Sequence, residues 1–235
     1  MSQKRKRKQL KNIIDIADYY PKKIIHNTPK TENQQEYYNL IHSNHTDIIL
    51  GVGPSGTGKT LLAVESAIQG YMDKRFNKIV ITRPAVSIDE QHGFLPGNLN
   101  QKMEPWVQPI IDVFNNHFYP HEVDKMIAQG DIEIAPLAYM RGRTFKDAFI
   151  IGDEMQNATA SQMKMLLTRI GERSQMVVTG DLHQADRMKN NGLLDFIKQL
   201  DSYHATKHID IVRFSHNDIE RHQAVQEVLE IYGDD

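Results

Sequence analysis

Short apolar runs and longer amphipathic stretches alternate along this chain. Runs of strand length lie at Asp47–Val52, Lys78–Thr82, Asp147–Gly152 and Gln175–Gly180, with shorter or mixed ones at Ile132–Ala135 and Ile209–Phe214. Helical spacing marks Glu32–Ser43, Thr60–Tyr71, Trp106–Asn116, Ser161–Ile170 and Leu193–Leu200, and a closing segment carries Val225, Val228, Leu229 and Ile231 on one face. Short runs bounded by turn residues read as buried strands. Strands separated by helices predict an α/β fold, a mostly parallel sheet with helices on both faces. Arg83-Pro84 stops the second strand, because proline has no N–H to give to the sheet ladder. Residues 85–130 read as a long excursion carrying Gly93-Phe94-Leu95-Pro96-Gly97. Residues 1–30 hold Pro21 and Pro29 without sustained periodicity and read as an arm, so the folded domain is expected over 31–235. The chain shows no internal repeat.

Composition narrows the class. At 235 residues, 40% hydrophobic and a mean hydropathy of −0.53, the chain has room for one α/β domain and not for two nucleotide-binding ones. No run approaches the ~18 apolar residues of a membrane span. No apolar segment follows the basic start, so a secretory signal is not expected. Cysteine is absent, which excludes disulfides and thiolate zinc sites and fits a cytoplasmic protein. The net charge of −2 conceals an asymmetry: residues 1–11 carry six Lys or Arg and no acid, leaving 22 basic against 30 acidic residues elsewhere. Lys4, Arg5, Lys6, Arg7 and Lys8 thus form a basic arm suited to polyanions on an otherwise acidic body.

The candidate chemistry centres on Gly53-Pro54-Ser55-Gly56-Thr57-Gly58-Lys59-Thr60, which fills every fixed position of a Walker A phosphate loop. Its glycines allow a tight turn whose N–H groups face phosphates, Lys59 reaches the β/γ-phosphates and the Thr60 hydroxyl meets Mg²⁺. The run 47–52 feeds this loop and the helix after it points its N-terminus at the anion. ATP and Mg²⁺ are therefore the expected ligands. Asp153-Glu154 follows the run 147–152 at the carboxyl edge of the sheet, where such sheets bind ligands. Asp153 fits a Walker B carboxylate for Mg²⁺, and Glu154 a base that polarises water toward the γ-phosphate. Gly180-Asp181 with Gln184 ends the neighbouring run, and an amide there can sense the γ-phosphate. His117 and His121 stand four apart, but Pro120 between them disturbs the helix a metal pair needs.

In order, these motifs resemble the PhoH-like ATPases, phosphate-starvation-inducible proteins related to superfamily-one helicases. The resemblance runs from about Thr31 to Tyr232 and includes Thr82-Arg83-Pro84, Gly93–Gly97, Asp153–Asn157 and Gly180-Asp181 with Gln184. The string Pro136-Leu137-Ala138-Tyr139-Met140-Arg141-Gly142-Arg143-Thr144 is far more specific to the family than the Walker motifs. Met155, Asn98 and Trp106 depart from the usual Ala, Asp and Tyr, and none removes a phosphate or metal group. The resemblance implies a single RecA-like domain, Gln34 reading the adenine edge, Asp218–His222 as the closing element, and hexameric rings acting on RNA or single-stranded DNA. It also implies Arg83 on the strand backbone. No second RecA domain fits in the chain, so the arginine that steadies the γ-phosphate is expected from a neighbouring subunit, with Arg143 and Arg221 as leading candidates. Trp106, Phe94 and Tyr139 are the aromatics near motifs that could stack on bases. A small-molecule kinase and a nucleotide-switched binding protein are the alternatives the same phosphate loop allows.

Overall fold

The computed structural model describes residues 28–84, 99–182, 191–203, 205–220 and 223–232, with backbone alone over 99–106 and at 223, 226, 229, 230 and 232. Gln184, Arg221, Phe94 and Lys4–Lys8 lie outside the described residues, as does the side chain of Trp106. Helix α1 (Glu32–His42) leads into β1 (Ile48–Val52), α2 (Lys59–Met72) and β2 (Lys78–Thr82). Beyond it come α3 (Leu99–His117), α4 (Pro120–Gln129), β3 (Ile132–Ile134), β4 (Ala148–Gly152) and α5 (Ala160–Leu167). Strand β5 (Gln175–Gly180), α6 (Gly192–Ser202), β6 (Ile209–Arg213) and α7 (Gln223–Tyr232) complete the order.

All six strands pair in parallel, in the order β3-β2-β4-β5-β1-β6. Strands β1, β4 and β5 are buried at every position, which is why they read as near-continuous apolar runs. Alternate strand residues serve opposite faces. Ile49, Ile79, Ile81, Phe149, Ile151 and Val177 pack with α1, α2, α3 and α4 through Tyr37, Leu62, Phe114 and Met126. Leu50, Val80, Ile150, Met176 and Val178 pack with α5 and α6 through Met163, Leu166, Leu193 and Ile197. The expected RecA-like α/β domain with helices on both faces is what forms. Among the described residues no helix is long and apolar enough to cross a membrane.

Local chemistry sets the element ends. Thr31 caps α1 by accepting from Gln34 N at 3.2 Å. Thr159 and Gln162 form a reciprocal capping box on α5. Pro120 takes the first position of α4, and Gly130 closes it in the left-handed region at φ +83°. The excursion holds more helix than expected. Helix α3 extends back to Leu99, through Pro105 and Pro109, and α4 was not anticipated. A proline inside a helix costs about 3 kcal/mol, and burial of Val107, Ile110 and Phe114 offsets it. Helix α7 forms, but its Val225, Val228 and Ile231 are exposed rather than packed.

Register brings the loops that matter to one edge. Val52 lies opposite Gly180, and Gly152 opposite Val178. The chain therefore leaves β1, β4 and β5 at nearly one level, with the phosphate loop, Asp153-Glu154 and Asp181 emerging side by side.

Candidate nucleotide site

The loop Gly53–Thr60 wraps the N-terminus of α2. Gly53 takes φ +150°, and a Cβ there would lie 2.4 Å from Phe214 O, so only glycine fits the turn. Gly58, at φ +79°, lets the loop pass into the helix. Lys59 Nζ donates to Gly53 O at 2.6 Å, Pro54 O at 2.5 Å and Thr57 Oγ1 at 3.1 Å. Burial lowers the Lys59 pKa, opposed by the charges of Asp181, Glu154 and Asp153. The ammonium is thus pre-aimed across a loop whose N–H groups and helix N-terminus attract anions.

Strand β5 separates the phosphate-loop strand from β4, whose end Asp153 follows. Its Thr179 hydroxyl donates to Asp153 Oδ1 at 2.6 Å, and the Thr60 hydroxyl donates to the same oxygen at 2.8 Å. Thr60 and Asp153 therefore stand together as an oxygen pair, the donor type Mg²⁺ prefers. Among the described residues no cluster of three His, Asp or Glu side chains is disposed to hold a metal by itself. An ion held by Thr60 and Asp153 would complete its shell with phosphates and water, as Mg²⁺ usually does. Bound there, it would neutralise charge on the phosphate oxygens.

Glu154 stands at φ +53°, a left-handed conformation uncommon for a residue with a side chain. Its Oε2 accepts from Gln156 Nε2 at 2.5 Å, and Gln156 Oε1 accepts from Asp181 N at 3.1 Å. Asp181 Oδ2 in turn accepts from Ser55 N at 3.2 Å. A chain of bonds thus runs from Glu154 through Gln156 and Asp181 to the phosphate loop. Glu154, Lys59, Thr60, Ser55, Thr179 and Asp181 all line a cleft of about 260 Å³. Thr179, Gln156 and the bracing role of Asp181 were not singled out from sequence. Asp181 had a signal in its position beside the third motif, whereas Thr179 looked like an ordinary strand residue.

The N- and C-terminal motifs meet behind the loop. Gln34 is buried, its Nε2 donating to Thr57 O at 3.3 Å and its Oε1 accepting from Lys30 N at 2.8 Å. Each end of its amide holds one of these bonds and retains a second donor or acceptor position. Asp218 accepts from Thr31 Oγ1 at 2.6 Å, Asn33 Nδ2 at 2.8 Å and Ser215 N at 2.7 Å. Glu220 N donates to Gly56 O at 3.2 Å, and Lys30 pairs with the Glu220 carboxylate. Burial alone would raise the Asp218 pKa, but hydrogen bonds from Ser215, Thr31 and Asn33 hold it below the ordinary value. Its stabilisation is therefore complete above the ordinary carboxylate range and is lost as pH falls through the lower folded value. Asp218→Ala is expected to cost about 2–4 kcal/mol and to weaken nucleotide binding, measurable by urea unfolding and nucleotide titration.

Two of the predicted arginines are held in ion pairs with carboxylates of this chain. Arg143 pairs with Glu133 on the outer strand β3, which three strands separate from β1, and lies over the Phe145 ring. Hydrogen bonding from Arg143 holds Glu133 at about 2, burial opposing it and Lys78 assisting. Within one chain Arg143 is not part of the cleft. Arg83 turns toward the Walker B carboxylate, with Nη1 3.9 Å from Asp153 Oδ2. Tyr139 is 60% exposed, open to a stacking partner.

This constellation defines a P-loop nucleotide-binding protein of RecA-like fold. A profile of the family described as "PhoH-like protein" matches residues 26–233, and the chain belongs to that family. It is 43% identical over 210 residues to the PhoH-like protein of Mycobacterium tuberculosis, an alignment covering 87% of this chain and 57% of that one. It is 41% identical over 208 residues to the PhoH-like protein of Bacillus subtilis (86% and 63%), and 37% identical over 208 to Protein PhoH of Escherichia coli (87% and 57%). The chain thus spans about 60% of the length of these relatives. The Pif1 helicase of Candida albicans superposes with a TM-score of 0.41 at 14% identity, over 87% of this chain and 43% of its own.

Proposed function

We propose that this chain is a Mg²⁺-dependent ATPase of the cytoplasm that works as a homo-oligomeric ring on RNA or single-stranded DNA, as a helicase or remodelling motor. The observation that carries hydrolysis is Glu154, an acid held by Gln156 on the wall of the cleft that Lys59 and Thr60 also line. A carboxylate so placed suits a base that orients water for attack on the γ-phosphate. Lys59 steadies the transferred phosphate, and Thr60 and Asp153 hold the ion. Gln34 is assigned to the base end of the nucleotide, and Gln184 to sensing its γ-phosphate.

Among the described residues no arginine lines the cleft. The missing cation on the γ-phosphate is assigned to a neighbouring subunit, with Arg143 and Arg221 as its sources. The basic residues Lys4–Lys8 and Arg83 are assigned to the nucleic-acid phosphates.

The test is steady-state ATP hydrolysis with Mg²⁺, with and without single-stranded RNA or DNA, on protein of measured oligomeric state. Stimulation by a strand, confined to oligomers, is the expected result. Turnover in monomers, or turnover indifferent to nucleic acid, would overturn the motor reading.

A further inference from the structure

Arg83 follows the last residue of β2, and its side chain is only 24% exposed. It faces one oxygen of Asp153, while the other oxygen is filled by two hydroxyls, those of Thr60 and Thr179. The Asp153 side chain is 5% exposed, and its backbone N–H is fastened to Thr82 O at 2.9 Å. A buried carboxylate needs a cation close by, because leaving its charge uncompensated in a poorly solvated site is costly. Arg83 supplies that cation from the neighbouring strand end.

We propose that Arg83 is a built-in counter-cation of the metal carboxylate, neutralising Asp153 until the nucleotide brings Mg²⁺ and then giving up the contact. The inference rests on the Mg²⁺-nucleotide reading of the same site. A guanidinium and a divalent ion on one carboxylate repel each other, and the divalent ion, also bound by phosphates, prevails. The backbone of Arg83 is anchored, since Leu137 N donates to Arg83 O at 3.3 Å, so the exchange is a swing of the side chain. Metal loading is thereby felt two residues before residue 85, at the root of the chain that leaves β2. The guanidinium becomes available to another anion only in the loaded state.

The experiment is a Mg²⁺ titration of protein saturated with a fluorescent, non-hydrolysable ATP analogue, followed by equilibrium fluorescence in wild type and Arg83→Gln. Removing the competing charge is expected to lower the Mg²⁺ concentration at half-saturation about tenfold, on the scale of an opposite charge acting on a nearby carboxylate. A second measurement needs neither metal nor nucleotide. In chelator, a thermal-unfolding cycle of Arg83→Gln, Asp153→Asn and the double variant is expected to show coupling, the double variant losing less than the two single losses together. A Mg²⁺-dependent wild type with the same half-saturation as Arg83→Gln, or an additive cycle, would overturn the inference alone. A wild type whose nucleotide binding ignores Mg²⁺ would overturn the metal reading, and the inference with it.

Discussion

Lys59→Ala is expected to lose at least about 100-fold in affinity for ATP, because each charge-assisted hydrogen bond to phosphate contributes about 1.5–3 kcal/mol and Lys59 can make two. The structure shows why alanine cannot be compensated. Among the described residues Lys59 is the cation that lines the cleft, surrounded by Asp153, Glu154 and Asp181, whose charges would otherwise repel the phosphates. Its ammonium rests on loop carbonyls, Gly53 O and Pro54 O, so it reaches the ligand by exchanging those bonds rather than by reorganising the chain. Truncation should leave the fold intact, since the loop also closes through Gly53 N to Gly180 O and Ser55 N to Asp181. The check is titration with a fluorescent ATP analogue, alongside circular dichroism. Wild-type affinity in a folded variant would overturn the phosphate-loop assignment.

Glu154→Gln is expected to lower ATP turnover by about 10²–10⁴-fold, the usual contribution of a positioned general base, while ATP binding stays near wild type. The amide keeps an oxygen that can accept from Gln156 Nε2, so the link through Gln156 to Asp181 survives. Only the capacity to draw a proton from water is lost. Single-turnover hydrolysis and equilibrium binding separate the two effects. Equal losses in both would mean that Glu154 holds the site together and does not act on water. In mixtures with Arg143→Ala, the same variant tests the shared site. Recovered activity is expected if subunits exchange arginines, and its absence at every ratio would count against them.

Much of the fold was legible because its signals are local. A strand buried on both faces must be apolar along its length, so Ile48–Val52, Ala148–Gly152 and Gln175–Gly180 announce themselves within a few residues. The phosphate loop is legible for a similar reason: its glycines answer to backbone angles, and its lysine and threonine to a ligand the same turn creates. Thr179 was not legible. Its bond to Asp153 spans 26 positions and depends on β5 lying between β4 and β1. Asp218 and Thr31 are 187 positions apart, and nothing near either residue points to the other. Helix α3 reaches back to Leu99, beyond the expected Trp106–Asn116, and packing of Phe114 and Ile110 outweighs the local cost of its prolines. Helix α7 is the reverse case, an apolar pattern whose Val225, Val228 and Ile231 are exposed among the described residues.

By itself the sequence determined which segments are strands, where the phosphate loop lies, and that a carboxylate pair ends a strand downstream, since each follows from short-range sterics and the burial demanded of a few neighbouring residues. Only the tertiary structure decided the strand order, the sharing of one Asp153 oxygen by Thr60 and Thr179, and the bracing of Glu154 through Gln156 and Asp181. It also decided the destinations of the arginines, with Arg143 on Glu133 at the outer strand and Arg83 on Asp153 inside the site. A long cationic side chain pairs with whichever carboxylate the packed sheet brings within its reach, and that neighbour is set by covering both sheet faces at once, a condition no local stretch of sequence contains.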